Sequence, residues 1–291
     1  MSALPVKPSL LRAECGVMNN SAANQPDKQV EFSCQSPVLL ESHGEVITIT
    51  LNRPDSFNAI DYPTALALRS AIDVAAAMPG GRVVVLRGAG KSFCGGGDVL
   101  AMHANRADLP GFIDQMIDAF HASVMALSRL PMPVIASVHG AVAGGGFSLA
   151  LACDLIVAAR AARFVVAYPH LGAPSDGGLS FQLTQRLGRV QGFEALTLHG
   201  NLNAEKALSL GLVNRLVDAE SADAEAYAWA RELVALPVQS VNEMKELVAA
   251  QSREALEVHL AREKEAFLRC STTPDFIARV AAFNTKHRGA A

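Results

Sequence analysis

Hydrophobic and polar residues follow an α/β rhythm from Val38 onward. Residues 44–51 alternate between apolar and polar side chains, which predicts a half-buried strand that ends at 52–55. Three continuous apolar runs predict buried strands, at 83–86, 133–138 and 155–159. Between these runs, apolar residues spaced three or four positions apart predict helices, the first of which begins near Pro63. The pattern therefore predicts an α/β fold.

The last part of the chain has a purely helical pattern. Helices are predicted at 222–236, 240–250, 253–268 and 274–284. Leu256, Leu260 and Phe267 form an apolar stripe, which needs a covering surface on either the α/β body or another subunit. We expect three parts, namely a loose N-terminal extension at 1–35, an α/β domain at 36–225 and a helical region at 226–291.

Composition and charge exclude several classes of protein. Half of the 291 residues are hydrophobic and 18% are charged, which is far from the composition of a disordered chain. No apolar run reaches the ~18 residues that a membrane helix needs, and residues 1–35 lack the apolar segment of a signal peptide. The net charge of −3 offers no basic surface for nucleic acid. We expect a soluble protein that binds neither membrane nor nucleic acid.

The cysteines and histidines indicate no metal site. The five cysteines are scattered and include no C-x-x-C, which fits neither a disulfide framework nor a zinc site. The histidines show no metal-ligand spacing. The chain is therefore expected in a reducing compartment, the cytoplasm, and no metal is predicted.

Two glycine-rich loops, 88–98 and 139–146, each lie between a predicted strand and a predicted helix. Where no Cβ shields the backbone, two N–H groups can form a site for a developing oxyanion. Spacing alone leaves a second interpretation open, in which both loops are only tight connections. The first loop is not a phosphate-binding P-loop, because position 85 is Val85. The second is not the nucleophile elbow of a serine hydrolase, because its fifth position is Ala150.

Several motifs together resemble one known family. In chain order they are LNRP at 51–54, NAI at 58–60, SFCGGGD at 92–98, HGAVAGGG at 139–146, ACDL at 152–155, the stretch 164–172 and ALSLGLV at 207–213. These motifs resemble the enoyl-CoA hydratase/isomerase (crotonase) superfamily. The similarity runs from about Val38 to Asn284, so it covers both the α/β part and the helical part.

The resemblance implies a crotonase-like spiral of β-β-α units, followed by a helical region that assembles homotrimers, often paired into hexamers. It implies an acyl-CoA thioester as the substrate, with coenzyme A as part of that substrate and no separate cofactor. The two peptide N–H groups that hold the thioester oxygen carry over to Gly95 and Gly145. The implied substrate and coenzyme A contacts are Ala59, Gly95, Gly96, Gly97, Asp98, Val99, Leu100, Gly145, Ser148 and Tyr168. For Asp98, capping of the following helix is at least as good an interpretation, and for Tyr168 packing in the core is an equally good one.

Two positions depart from the hydratases of this family. Those enzymes carry one glutamate on the helix after the second glycine loop and another shortly before the next glycine turn. The matching positions here are Ser148 and Tyr168. Hydration needs a base to activate water and an acid to protonate the α-carbon. A serine and a tyrosine at these positions therefore argue against ordinary enoyl-CoA hydration.

Asp176 is the candidate for proton transfer. It lies in the sequence PSDGG at 174–178, where several isomerases of the family keep their catalytic aspartate. A double-bond shift needs only one base, which takes a proton from one carbon and returns it to another. The alternative is that Asp176 only caps the helix that follows.

We therefore predict an acyl-CoA isomerase of fatty acid or aromatic acid metabolism, which shifts a double bond or rearranges a ring epoxide with Asp176 as proton shuttle. Three alternatives stay open: an acyl-CoA thioester hydrolase, an atypical enoyl-CoA hydratase and a non-catalytic CoA-binding scaffold. The family's hydrolases usually pair the aspartate with a glutamate near position 170, where this chain has His170.

Overall fold

Two sheets of different size organise the backbone. The computed structural model describes residues 36–198, 200–218 and 221–288, and the predicted extension at 1–35 lies outside them. The described strands are β1 (Val38–His43), β2 (Val46–Leu51), β3 (Val83–Gly88), β4 (Val134–Val138), β5 (Ala141–Ala143), β6 (Leu155–Ala159), β7 (Arg163–Val165), β8 (Asn201–Asn203) and β9 (Arg215–Val217). The larger sheet has the order β1-β2-β3-β4-β6-β9 and is parallel except for β1, and the smaller sheet has the order β5-β7-β8.

The described helices are α1 (Tyr62–Ala77), α2 (Val99–Ala104), α3 (Leu109–Arg129), α4 (Gly145–Leu151), α5 (Tyr168–Leu171), α6 (Leu179–Thr197), α7 (Ala204–Ser209), α8 (Ala222–Val234), α9 (Val238–Ser271) and α10 (Pro274–Arg288). Within the ranges that the structure describes, none of them has the length and apolar character to cross a membrane. α1 starts where its sequence predicts, because Pro63 lies in its first turn and the Asp61 carboxylate accepts the Thr64 N–H at 2.9 Å.

The predicted strands at 83–86, 133–138 and 155–159 are confirmed as β3, β4 and β6. β2 differs from its prediction, since all of its residues are buried rather than half of them. The reason is that α8 covers the face that carries Thr48, whose hydroxyl is hydrogen-bonded to the Tyr227 hydroxyl at 2.8 Å. The three-residue strands of the smaller sheet were not predicted, because they are too short to show a period.

The helical C-terminal part is confirmed, with one change. The two helices predicted at 240–250 and 253–268 form the single helix α9, because no Gly or Pro interrupts the chain between them. Its stripe of Leu256, Leu260 and Phe267 is buried in the main core, so the α/β body is the surface that covers it.

The two glycine loops meet at the carboxyl ends of the parallel strands β3 and β4, the edge at which α/β sheets bind ligands. Their backbones run side by side. The Cys94 N–H donates to the Ala141 carbonyl at 3.1 Å, and the Ala143 N–H donates to the Cys94 carbonyl at 2.9 Å. The fold therefore brings together two loops that are about 50 residues apart in the sequence.

Candidate active site

A cavity of about 920 Å³ opens beside the two glycine loops. Its walls also include residues of α2, α3 and α10 and the turn that precedes α6. The predicted site residues that line it are Ala59, Gly95, Gly96, Gly97, Asp98, Val99, Leu100, Gly145, Tyr168 and Asp176. Ser148 is fully buried and is not on the wall, so the structure contradicts its predicted role as a substrate contact.

The backbone donors differ from the prediction at one position. The N–H of Gly95 already donates to the Phe57 carbonyl at 2.8 Å, so the structure contradicts Gly95 as a donor to a ligand. The N–H groups of Gly97 and Gly145 have no acceptor among the described residues. A Cβ placed on Gly145 would lie 3.8 Å from the Gly97 nitrogen, so the two glycines are close neighbours. Two N–H groups without acceptors on one cavity wall are the components of an oxyanion site.

Glycine at position 96 is required by this close approach. Gly96 has φ of 98°, and a Cβ there would lie 2.8 Å from the Ala143 carbonyl oxygen and 3.4 Å from the Gly145 nitrogen. A side chain would therefore force the two loops apart. The interpretation of the loops as tight connections alone does not account for the two N–H groups without acceptors.

Asp98 caps α2, as the alternative interpretation of this residue predicts. One carboxylate oxygen accepts the Ala101 N–H at 2.9 Å and the other accepts a hydrogen bond from Arg53 at 3.0 Å. Arg53 also donates to the Ala59 carbonyl at 2.5 Å. Asp98 thus lies on the wall with both oxygens engaged, and its main effect is to fix the loop that carries Gly97.

Asp176 is buried at the cavity wall, with 7% of its surface exposed. It does not cap α6, whose N-cap residue is Gly178, so the capping alternative is wrong. Its carboxylate oxygen Oδ1 lies 2.5 Å from Nε2 of His121 on α3. The Phe120 ring lies between the Asp176 turn and the second glycine loop, since it adjoins both Gly177 and Gly145.

Ser148 and Tyr168 hold the backbone of Asp176. The Ser148 hydroxyl donates to the Asp176 carbonyl at 2.6 Å, and the Tyr168 hydroxyl donates to the same oxygen at 3.1 Å. Burial, together with the charge of Asp176, raises the pKa of Tyr168 well above its ordinary value. The phenol therefore stays protonated and acts as a donor.

His121 was not predicted as a site residue. Burial alone would lower its pKa, but the charge and hydrogen bond of Asp176, with the charges of Glu263 and Asp118, raise the pKa above its ordinary value. As an imidazolium it donates from Nε2 to Asp176. When Nε2 carries no proton, it accepts the N–H of Gly177 instead, at 3.3 Å.

Among the described residues, His121, Asp176 and Glu263 form a cluster whose ligand atoms lie within 4.8 Å of one another. Such a trio has the donor types of a metal site. The oxygens of Glu263, however, already accept hydrogen bonds from Ser175, Gly178 and Ser180. A metal would have to displace these donors, whereas a protonated imidazole supplies a cation without displacing them.

Comparisons with known proteins give consistent results. Residues 41–288 match the family model described as enoyl-CoA hydratase/isomerase. The chain is 30% identical to the 1,2-epoxyphenylacetyl-CoA isomerase of Escherichia coli over 84% of this chain and 95% of that protein. It is 35% identical to a probable enoyl-CoA hydratase of Mycobacterium tuberculosis over 87% of this chain and 98% of that protein.

A solved structure agrees with these matches. The crystal structure of an enoyl-CoA hydratase from Polaromonas sp. JS666 superposes with a TM-score of 0.71 at 36% identity, covering 86% of this chain and 97% of that one. The mixed α/β fold with its helical C-terminal region is therefore the crotonase fold. The family model spans most of the chain, and the protein belongs to the enoyl-CoA hydratase/isomerase family.

Proposed function

We propose that this protein is an acyl-CoA isomerase in which Asp176 carries the proton and the N–H groups of Gly97 and Gly145 hold the thioester oxygen. The observation that supports this most is the cavity wall itself. It combines one buried carboxylate with two neighbouring N–H groups that have no acceptor among the described residues. The hydratase glutamates are replaced by Ser148 and Tyr168, which bond to the backbone of Asp176 instead.

The chemistry needs one base. With a 3-enoyl-CoA substrate, Asp176 takes a proton from the carbon between the thioester carbonyl and the double bond, and the C–H electrons move into a dienolate whose negative charge lies on the thioester oxygen. The two N–H groups stabilise that charge. Protonated Asp176 then returns the proton to a different carbon, so the double bond moves and no water is consumed.

The candidate substrates are 3-enoyl-CoA thioesters and ring-epoxide CoA thioesters. The Escherichia coli relative is named as an isomerase of the second kind. The lining of the cavity suits an apolar acyl group, because it includes Met102, Met116, Ile117 and Phe120. The coenzyme A part is proposed to lie along Ala59, Val99 and Leu100, which remains an expectation from the family.

Thioester hydrolysis is the second candidate, and the pair of Asp176 and His121 favours it. A carboxylate bonded to an imidazole can activate water or attack a carbonyl carbon. His170 lies on the cavity wall, where it departs from the glutamate that the family's hydrolases usually carry near this position. The relatives named as hydratases keep atypical hydration open as well.

Asp176→Asn tests the assignment. Turnover of 3-enoyl-CoA and ring-epoxide CoA substrates is compared with wild type, and free CoA is followed with a thiol reagent. We expect wild type to isomerise at least one substrate without releasing CoA, and the variant to lose about 10²–10⁴-fold in kcat. Undiminished isomerisation by the variant would overturn the proposal. Release of CoA at the rate of turnover would favour the hydrolase instead.

Assembly into homotrimers or hexamers is part of the proposal and rests on the family resemblance. Large apolar side chains are exposed on α6, on the residue that follows it and on α9, namely Val190, Phe193, Leu198, Leu247 and Val248. Surfaces of this kind are often covered by other subunits. Light scattering on the purified full-length chain would give the number of subunits.

A further inference from the structure

Glu263 on α9 is a buried carboxylate enclosed by hydrogen-bond donors. Its side chain is 5% exposed. Its oxygens accept hydrogen bonds from the Ser175 hydroxyl at 3.0 Å, the Gly178 N–H at 2.6 Å, the Ser180 N–H at 3.1 Å and the Ser180 hydroxyl. Burying a charged carboxylate is unfavourable unless it is fully hydrogen-bonded, and an apolar residue would fill the space at lower cost. The charge at this position therefore calls for a reason other than packing.

All of these donors belong to the segment that carries Asp176. Gly177 and Gly178 both have positive φ, at 65° and 82°, and Gly178 provides no side chain to cap α6. The first N–H groups of a helix need an acceptor, and the helix dipole favours a negative one. Glu263 supplies this acceptor from α9. The Glu263 side chain therefore holds the turn that contains Gly177 and Gly178 in one conformation, although neither glycine has a side chain of its own to do so.

The same carboxylate influences the charge of His121. The negative charges of Asp176 and Glu263 raise the pKa of His121 against the opposing effect of burial. The other groups that face this cluster are Asp118 on α3, which is paired with Lys264 at 2.6 Å, Tyr168 on α5, and His259 on α9, which is 3.9 Å from Glu263. The ring nitrogen of His121 and the carboxylate oxygens of Asp176 and Glu263 lie within 4.8 Å of one another.

We propose that Glu263 is a positioning residue for Asp176, which fixes the turn 175–180 from the C-terminal helix and places a second carboxylate close to the His121 ring that contacts Asp176. The proposal rests on the assignment of Asp176 as the proton shuttle. It predicts that a residue outside the cavity wall, on the helical part of the chain, controls the rate of the chemical step without controlling substrate binding.

Glu263→Gln tests both parts of the proposal in the full-length protein. The amide keeps the shape and one acceptor oxygen but removes the charge. We expect kcat for the isomerised substrate to fall about 10- to 100-fold, as for removal of a charged hydrogen bond, with KM within about twofold. The pKa of His121, read from its ring resonances by NMR and identified by their loss in His121→Gln, should fall. Glu265→Gln, an exposed glutamate on the same helix, is the matched control.

Glu263→Asp separates charge from position. It keeps the negative charge but shortens the side chain, so the pKa of His121 should stay raised while kcat falls. If Glu263→Gln does not fold, Ser175→Ala and Ser180→Ala remove donors one at a time and leave the carboxylate, and each should lower kcat with little change in KM.

Unchanged kcat and an unchanged His121 pKa in Glu263→Gln would overturn the proposal. So would full kcat in the Ser175→Ala/Ser180→Ala double variant. Failure of the proposed function is recognised separately, because Asp176→Asn would then remain active while the pKa of His121 in Glu263→Gln would still report on the charge effect.

Discussion

The candidate site has two halves that are built in different ways. One half consists of backbone N–H groups, those of Gly97 and Gly145, on two loops that lie side by side at the ends of β3 and β4. The other half consists of side chains around Asp176, which come from α3, α4, α5 and α9. Substitutions of non-glycine residues leave the N–H groups of the first half in place, whereas they remove the functional groups of the second half. The two halves can therefore be broken separately.

The backbone half is broken most directly by Gly97→Pro, which removes one N–H. Loss of one preorganised donor at an oxyanion site costs about 10²–10³-fold in kcat. Gly97→Ala is the control, because it keeps the N–H. Its Cβ would lie 3.2 Å from the Met102 methyl group, the movable end of a flexible side chain. Steady-state kinetics on an isomerised substrate should show a large loss only for proline. Equal kcat values for the two variants would contradict the role of this N–H.

The side-chain half is tested by His121→Gln, which replaces the imidazole ring beside Asp176 by an amide that does not take up a proton. A hydrogen bond to a charged group contributes about 1.5–3 kcal/mol, so kcat should fall about 10- to 100-fold. KM should change little, because His121 is not on the cavity wall. His43→Gln, at an exposed histidine, should behave as wild type. A change in KM with unchanged kcat would place His121 in substrate binding instead.

Smaller effects are expected where hydroxyls support the backbone of Asp176. Ser148→Ala and Tyr168→Phe each remove one donor to the same carbonyl oxygen, and each should lower the free energy of unfolding by about 1 kcal/mol. The double variant should lose more than the sum, because the carbonyl then has no hydroxyl donor. Urea unfolding of the three variants measures this coupling. Strict additivity would show that the two hydroxyls act independently.

The pH dependence of stability gives the smallest expected effect. The folded protein raises the pKa of His121, so folding favours the protonated ring. This contribution is complete below the unfolded pKa of about 6.5 and is lost as the pH rises through the folded value. The difference in unfolding free energy between wild type and His121→Gln should therefore become smaller as the pH rises above about 6.5. A difference that grows with pH would contradict the charge assigned to His121.

Much of the backbone half was predictable, because its signal is local. A strand, a glycine loop and a helix follow one another twice, and the loops were identified from that order. The choice of Gly95 as a donor does not agree with the structure, and Gly97 is the donor proposed in its place. Three consecutive glycines look alike in sequence, and only the hydrogen bond from Gly95 to Phe57 in the folded chain shows which N–H is already engaged.

The side-chain half was predictable only at Asp176. His121 and Glu263 were missed because they lie 55 and 87 positions from Asp176, on helices whose apolar faces predict core packing. Both residues stand inside those apolar faces. His121 lies between Ile117 and Val124, and Glu263 lies between Leu260 and Phe267, at helical spacing. A polar residue at a core-facing position was the available signal. This signal does not show which residue the polar side chain contacts in the folded chain.

A structure with a bound, non-isomerising acyl-CoA analogue tests the central claim most directly. The account predicts the thioester oxygen within about 3.1 Å of the nitrogens of Gly97 and Gly145. It also predicts the Asp176 carboxylate within about 3.2 Å of the carbons between which the proton moves. A thioester oxygen held elsewhere, or a different carboxylate at those carbons, would contradict it.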